Sequence, residues 1–94
     1  MSDKIKSEAV VGLARHYRFQ WEEAQAGYVL LFPEGMIKLN GGAGEVIKRV
    51  DGKRTVGEIV AECKAAFPDV PDIEADVLAM LELALGKTWI AVKE

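Results

Sequence analysis

Val29-Leu-Leu-Phe-Pro-Glu-Gly-Met-Ile-Lys-Leu-Asn40 decides how this chain folds. Tyr28 to Phe32 is apolar at every position, which suits a central strand covered on both faces. Pro33 has no N–H to give a ladder and a fixed φ, so the strand ends there. Phe32-Pro33-Glu34-Gly35 places proline second and glycine fourth, the chemistry of a type I turn. Met36 to Leu39 returns as the next strand, and Asn40-Gly41-Gly42 breaks it. Upstream, Tyr17, Phe19 and Trp21 alternate with Arg18, Gln20 and Glu22, which predicts a half-buried strand. Three strands in an antiparallel meander leave the first and third as edges.

Downstream the period changes to that of helices. Ala43, Val46, Ile47 and Val50 recur at i, i+3, i+4 and i+7. Gly42 and Glu45 stand where a capping box would be, without its hydroxyl. Asp51-Gly52 ends this helix, and Thr55-Val-Gly-Glu58 is a full capping box that starts the second. Its stripe is Val56, Ile59, Val60, Cys63 and Phe67. Two prolines punctuate the loop that follows. Asp72 is placed to cap a third helix with stripe Ile73, Val77, Met80, Leu81 and Ala84, closed by Gly86. Thr88 to Val92 alternates weakly as a short closing strand. Residues 1–14 are weakly patterned: Val10, Val11 and Leu13 are able to pack, but Ser2 to Glu8 is mobile and charged, so 1–14 reads as a flexible lead-in to a single domain over residues 15–94. The expected fold is α+β, with a three-stranded antiparallel sheet followed by three helices.

A chain of 94 residues is one domain with one modest core, burying roughly 60–65% of its unfolded surface. Half the residues are apolar and the net charge is −3. The small cationic spots, Arg15 to Arg18 and Lys48 to Arg54, are balanced by neighbouring acids, so no basic surface for nucleic acid is expected. Cys63 is the only cysteine and lies on an apolar stripe, which reads as a buried, inert thiol. No apolar run approaches membrane-spanning length, and a reduced cytoplasm is the expected setting.

Chemistry is scarce. His16 is the only histidine, and no other residue stands at ligand spacing for a metal. Gly41-Gly42-Ala43-Gly44 lacks the Lys-Ser/Thr ending of a phosphate loop. Neither a catalytic set nor a cofactor is expected. What remains is backbone. The strand Met36 to Leu39 is interrupted by a single charge, Lys38, and is a template on which an extended peptide can add as a strand. The same edge could pair with a second copy, so monomer and homodimer both stay open.

At these residues the chain resembles a known family, the D protein of pyrroloquinoline quinone (PQQ) biosynthesis. Its text includes Ala14-Arg15, Tyr17-Arg18, Gln20-Trp21-Glu22-Glu23-Ala24-Gln25, Tyr28-Val-Leu-Leu and Pro33-Glu34-Gly35-Met36. It continues with Lys38-Leu39-Asn40, Asp51-Gly52-Lys53-Arg54-Thr55, Asp76-Val77 and Trp89-Ile90. Phe32 and Gly42 depart from that pattern, standing where Tyr and Ser are usual.

The resemblance implies a winged-helix-like fold and a peptide chaperone, the archetype of RiPP recognition elements. Such a protein binds a ribosomal precursor peptide and presents it to a radical S-adenosylmethionine enzyme for Glu–Tyr cross-linking. The implied groove is walled by Met36, Ile37, Lys38 and Leu39, faced by Asp76, Val77, Met80 and Leu83 of the third helix. Arg15, Arg18 and Trp89 are candidates for contact with the partner enzyme. A winged-helix DNA-binding regulator is the rival reading of the same elements. Its second and third helices would carry Glu58, Glu62, Asp72, Glu74, Asp76 and Glu82 against Lys64, which repels phosphate.

Overall fold

A computed structural model describes residues 5–93. The element order is β1 (Val11–Leu13), β2 (Arg18–Glu22), β3 (Gly27–Phe32), β4 (Gly35–Lys38), α1 (Gly41–Lys48), α2 (Val56–Ala66), α3 (Ile73–Gly86) and β5 (Ile90–Val92). Strands β2, β3 and β4 form an antiparallel meander with β3 in the middle. Val29 and Leu30, neighbours on opposite faces of β3, are both fully buried, as a strand covered on two sides requires. Neither Pro33 nor Glu34 has positive φ, in keeping with a type I turn.

The three helices pack their expected stripes into one core. Leu30 from the sheet shares one buried cluster with Val46, Ile47, Val56, Ile59, Val77 and Leu81. Helix α1 presses directly on β3. A Cβ at Gly44 would lie 2.9 Å from the Tyr28 ring, so glycine is needed for that approach. The sheet's aromatics pair as they pack: Phe19 stacks on Tyr28 and Tyr17 on Phe32. Trp21 meets Tyr28 edge-on and stays half exposed.

One expected cap moves and another makes no capping bond. Asn40 caps α1, its side-chain oxygen accepting from the Ala43 amide at 2.7 Å, and Gly42 lies inside the first turn. Asn combines a strand-end conformation with a capping oxygen, so no hydroxyl is needed at Gly42. Asp72 occupies the cap position of α3, but its φ of 56° is left-handed and its side chain makes no capping bond. The Thr55–Glu58 box on α2 forms in both directions, at 2.9 and 3.1 Å.

The expected lead-in is a correction too. Its residues 1–4 lie outside the described ones, but the residues after them are packed. Strand β1 pairs antiparallel with β5, and Val11 is fully buried. The Ala9 and Ser7 carbonyls each accept at 2.8 Å, from the Val56 and Gly57 amides. Together with the Thr55 box they satisfy the first donors of α2, which a helix cannot satisfy internally. The domain therefore begins before residue 15, because the start of α2 needs that upstream backbone.

Candidate functional site

Strand β4 is an edge of its sheet. In an antiparallel strand each residue points its N–H and C=O to one side, and successive residues alternate sides. The Leu39 amide donates to the Tyr28 carbonyl at 3.0 Å, so odd-numbered residues here face β3. The register pairs Ile37 with Leu30 and Met36 with Leu31. Ile37 and Leu39 are thus committed to the sheet, while Met36 and Lys38 aim their backbone groups outward. Of the four backbone positions expected to wall a groove, two carry free hydrogen-bonding groups. Leu39 is also buried as a side chain, so it supports the edge from beneath.

Helix α3 places its expected residues on two faces. Asp76 and Leu83 are exposed and Met80 is half-buried. They stand at i, i+4 and i+7, one stripe along the helix. Val77 is 1% exposed and belongs to the core, as its helical stripe predicts, so among the expected groove residues of α3 it is the buried one. It lies on the buried face with Leu81 and Ala84.

A cavity of about 380 Å³ opens where β4 ends. Asn40 and Ala43, at the start of α1, form one wall, and Asp76, Val77 and Met80 of α3 form another. Cys63 and Phe67 of α2 and Val70 and Ile73 complete it. Reading the chain one helix at a time assigns most of these residues to the core and misses the cavity. The one local sign was Val70, an apolar residue between two prolines in an otherwise polar loop. Burial pushes the Cys63 thiol pKa up despite the nearby Arg49, which keeps it protonated and unreactive at neutral pH.

The charged network ties α1 to α2 and meets the cavity only at Glu45. Asp51 accepts from the Lys53 and Arg54 amides at 2.9 Å, which holds its carboxyl below the usual carboxylate range. Arg54 reaches Glu62 at 2.6 Å, and Arg49 joins Glu45 at 3.0 Å. This accounts for Asp51-Gly-Lys-Arg-Thr55 structurally: it ties the α1–α2 turn to α2. Arg15 and Arg18 are exposed. Trp89 is half-buried against the core, its amide on the Ala84 carbonyl and its carbonyl accepting from Ala14. Among the described residues no group of His, Cys, Asp or Glu is arranged to hold a metal. None of the described helices is long and apolar enough to cross a membrane.

A small α+β domain with outward-facing strand amides next to an apolar cavity has the makings of a recognition module that accepts an extended chain. Comparison with known proteins places the chain in a family. The family model described as coenzyme PQQ synthesis protein D (PqqD) matches residues 27–90. A relative from Pseudomonas aeruginosa, named PqqA binding protein, is 51% identical over 86 residues, covering 92% of this chain and 94% of that protein. One of the same name from Acinetobacter baylyi is 41% identical over 93 residues, covering 99% and 92%. Among solved structures, the NMR structure of the PqqD part of Methylobacterium extorquens PqqCD superposes with a TM-score of 0.73 at 33% identity. It covers 93% of this chain and 94% of that one, and is described as a functional, stand-alone RiPP recognition element. The chain belongs to the PqqD family.

Proposed function

We propose that this protein is a peptide-binding adaptor of PQQ biosynthesis with no catalytic step of its own. The precursor peptide adds as a strand to β4, using the backbone N–H and C=O of Met36 and Lys38. Asp76, Met80 and Leu83 of α3 face the guest's other side, while Ile37, Leu39 and Val77 support the groove from within. The held peptide is then presented, in the cytoplasm, to a radical S-adenosylmethionine enzyme, with Arg15 and Arg18 free to meet that partner. Trp89 is assigned to the fold rather than to the partner surface, because its backbone joins α3 to the strand β1.

The observation that carries this reading is the outward aim of the Met36 and Lys38 backbone at an edge strand. The relatives' name, PqqA binding protein, supports the same guest. The test is Lys38→Pro, which deletes an outward donor that β3 does not use. Affinity for the synthetic precursor peptide, measured by calorimetry, is expected to fall about tenfold while circular dichroism stays unchanged. Unaltered affinity would place the peptide on another surface. A second copy paired on this edge would compete with the guest, so added peptide is expected to shift any such homodimer towards monomer.

A further inference from the structure

The meander has a second open edge, β2, on the side away from β4. The Tyr28 carbonyl accepts from Leu39, so even-numbered residues of β3 bond towards β4 and odd-numbered ones towards β2. The register sets Val29 opposite Gln20 and Leu31 opposite Arg18. Arg18, Gln20 and Glu22 are therefore committed to β3, while Phe19 and Trp21 aim their N–H and C=O outward. Among the described residues no backbone group from elsewhere in the chain bonds to them. The edge carries little of the usual protection. Neither proline nor lysine interrupts it, and its five residues pair in register with no bulge.

We infer that β2 pairs antiparallel with β2 of a second copy, with Gln20 opposite Gln20 on the two-fold axis. The sheets join into one, and the two β4 strands become its outer edges. The pairing goes beyond the peptide-binding reading and does not depend on it.

Two observations select a second copy as the occupant. The first is charge. A two-fold ladder has to set the outward residues Phe19 and Trp21 opposite outward residues. The register centred on Gln20 places Phe19 opposite Trp21 in both directions, and it brings Arg18 opposite Glu22 in both directions as well. Registers centred on Phe19 or on Trp21 place Arg18 opposite Gln20 or Ala24 instead. Opposite charges directly across a ladder favour pairing and like charges oppose it, so charge chooses the centre. Among the described residues Arg18 has no ion pair. Gln20 donates to Glu22 at 2.7 Å, which holds that carboxylate along the same face of the strand.

The second is the aromatic face. Phe19 stacks on Tyr28, and Trp21 meets the same ring edge-on while staying 47% exposed. Across the ladder each Trp21 meets Phe19 of the other copy, which extends that cluster and covers the exposed indole. An edge of five residues buries less than a standard interface, so the dimer is weak, half-dissociated on the order of 50 µM. Arg18 is engaged in the pair, so an enzyme that takes up Arg18 displaces the second copy.

The experiment is sedimentation equilibrium of the full-length protein from about 1 to about 500 µM, where the average mass is expected to rise from monomer towards dimer. Arg18→Glu and Glu22→Arg, each alone, set like charges across the ladder and are expected to weaken pairing about thirtyfold. Both substitutions in one chain restore opposite charges, and pairing with them. An equal mixture of the two single variants is expected to form a heterodimer, which also shows that each variant is folded. Lys38→Pro and saturating precursor peptide are expected to leave the dimer intact, since both act on β4. A monomer at every concentration overturns the pairing. So does a dimer that ignores both charge reversals, or a loss that neither the double variant nor the mixture restores. A dimer that the peptide dissolves overturns it too, because the second copy then sits on β4.

Discussion

Strands β1 and β4 are both short and largely apolar, yet their backbones are used in opposite ways. The β1 segment is bonded on two sides. Its Val10 carbonyl accepts from Lys93 in the direction of β5, and its Ala9 and Val11 carbonyls accept from Val56 and Gly52. Strand β4 is bonded on one side only, through its odd-numbered residues. The difference separates backbone that holds the fold together from backbone left for a guest. It also separates the stability of this domain from its binding.

The largest effect that would sharpen this contrast is removal of residues 1–9. That deletion takes the Ser7 and Ala9 carbonyls from the start of α2, along with the core contacts of Ile5 and Ala9. A loss of about 4 kcal/mol, seen as a fall in the urea midpoint, is expected. A midpoint within error of the full chain would refute the structural role of this segment.

Next come two neighbouring prolines in β4. Ile37→Pro removes an amide that faces β3 and should cost about 3 kcal/mol, whereas Lys38→Pro should cost under about 1 kcal/mol. Equal costs in thermal unfolding would show that the assignment of inward and outward residues is wrong.

A pair of glycines makes the same comparison on a smaller scale. A Cβ on Gly12 of β1 would lie 2.9 Å from the Gly52 Cα and 3.0 Å from the Lys93 side chain. The nearest neighbour of a Cβ on Gly35 of β4 is the Phe32 ring at 3.7 Å. Gly12→Ala is therefore expected to destabilise by about 2 kcal/mol and Gly35→Ala by less than about 0.5 kcal/mol, measured by chemical denaturation.

The smallest effect concerns pH. The folded protein holds the Asp51 carboxyl below its ordinary value of 3.8, chiefly through the Arg54 and Lys53 amides. Between the folded and unfolded values the unfolded chain binds more protons, so stability rises with pH there. The contribution is complete above about 3.8 and disappears as acid titrates the folded carboxylate. Asp51→Ala should flatten the acid limb of the stability profile slightly and leave neutral-pH peptide binding unchanged.

The sheet, the three helical stripes and the Thr55–Glu58 box were all legible along the chain. Each depends on residues within a few positions of one another, and period 2 and period 3.6 are distinct signals. The Asn40 cap was hidden because Gly42 and Glu45 offered a similar local pattern two residues on. The packed β1 segment was hidden because its partners, β5 and the start of α2, lie dozens of residues away. Trp21 alternates with its neighbours like a core residue but lies on the edge strand β2 and is half exposed. At the site, the edge strand and the apolar stripe of α3 were readable. The cavity shared by three helices was not.

Local sequence thus determined that this protein is an α+β domain with a meander, three amphipathic helices and a candidate edge at Met36–Lys38. Pattern and turn chemistry act over a few residues, so they are written into the chain directly. Tertiary structure alone decided which amides of β4 point outward and that residues before 15 belong to the fold. It also decided that the ends of three helices part to leave an apolar cavity beside the edge. Those outcomes depend on hydrogen-bond register and on packing between distant segments, and no single segment carries that information.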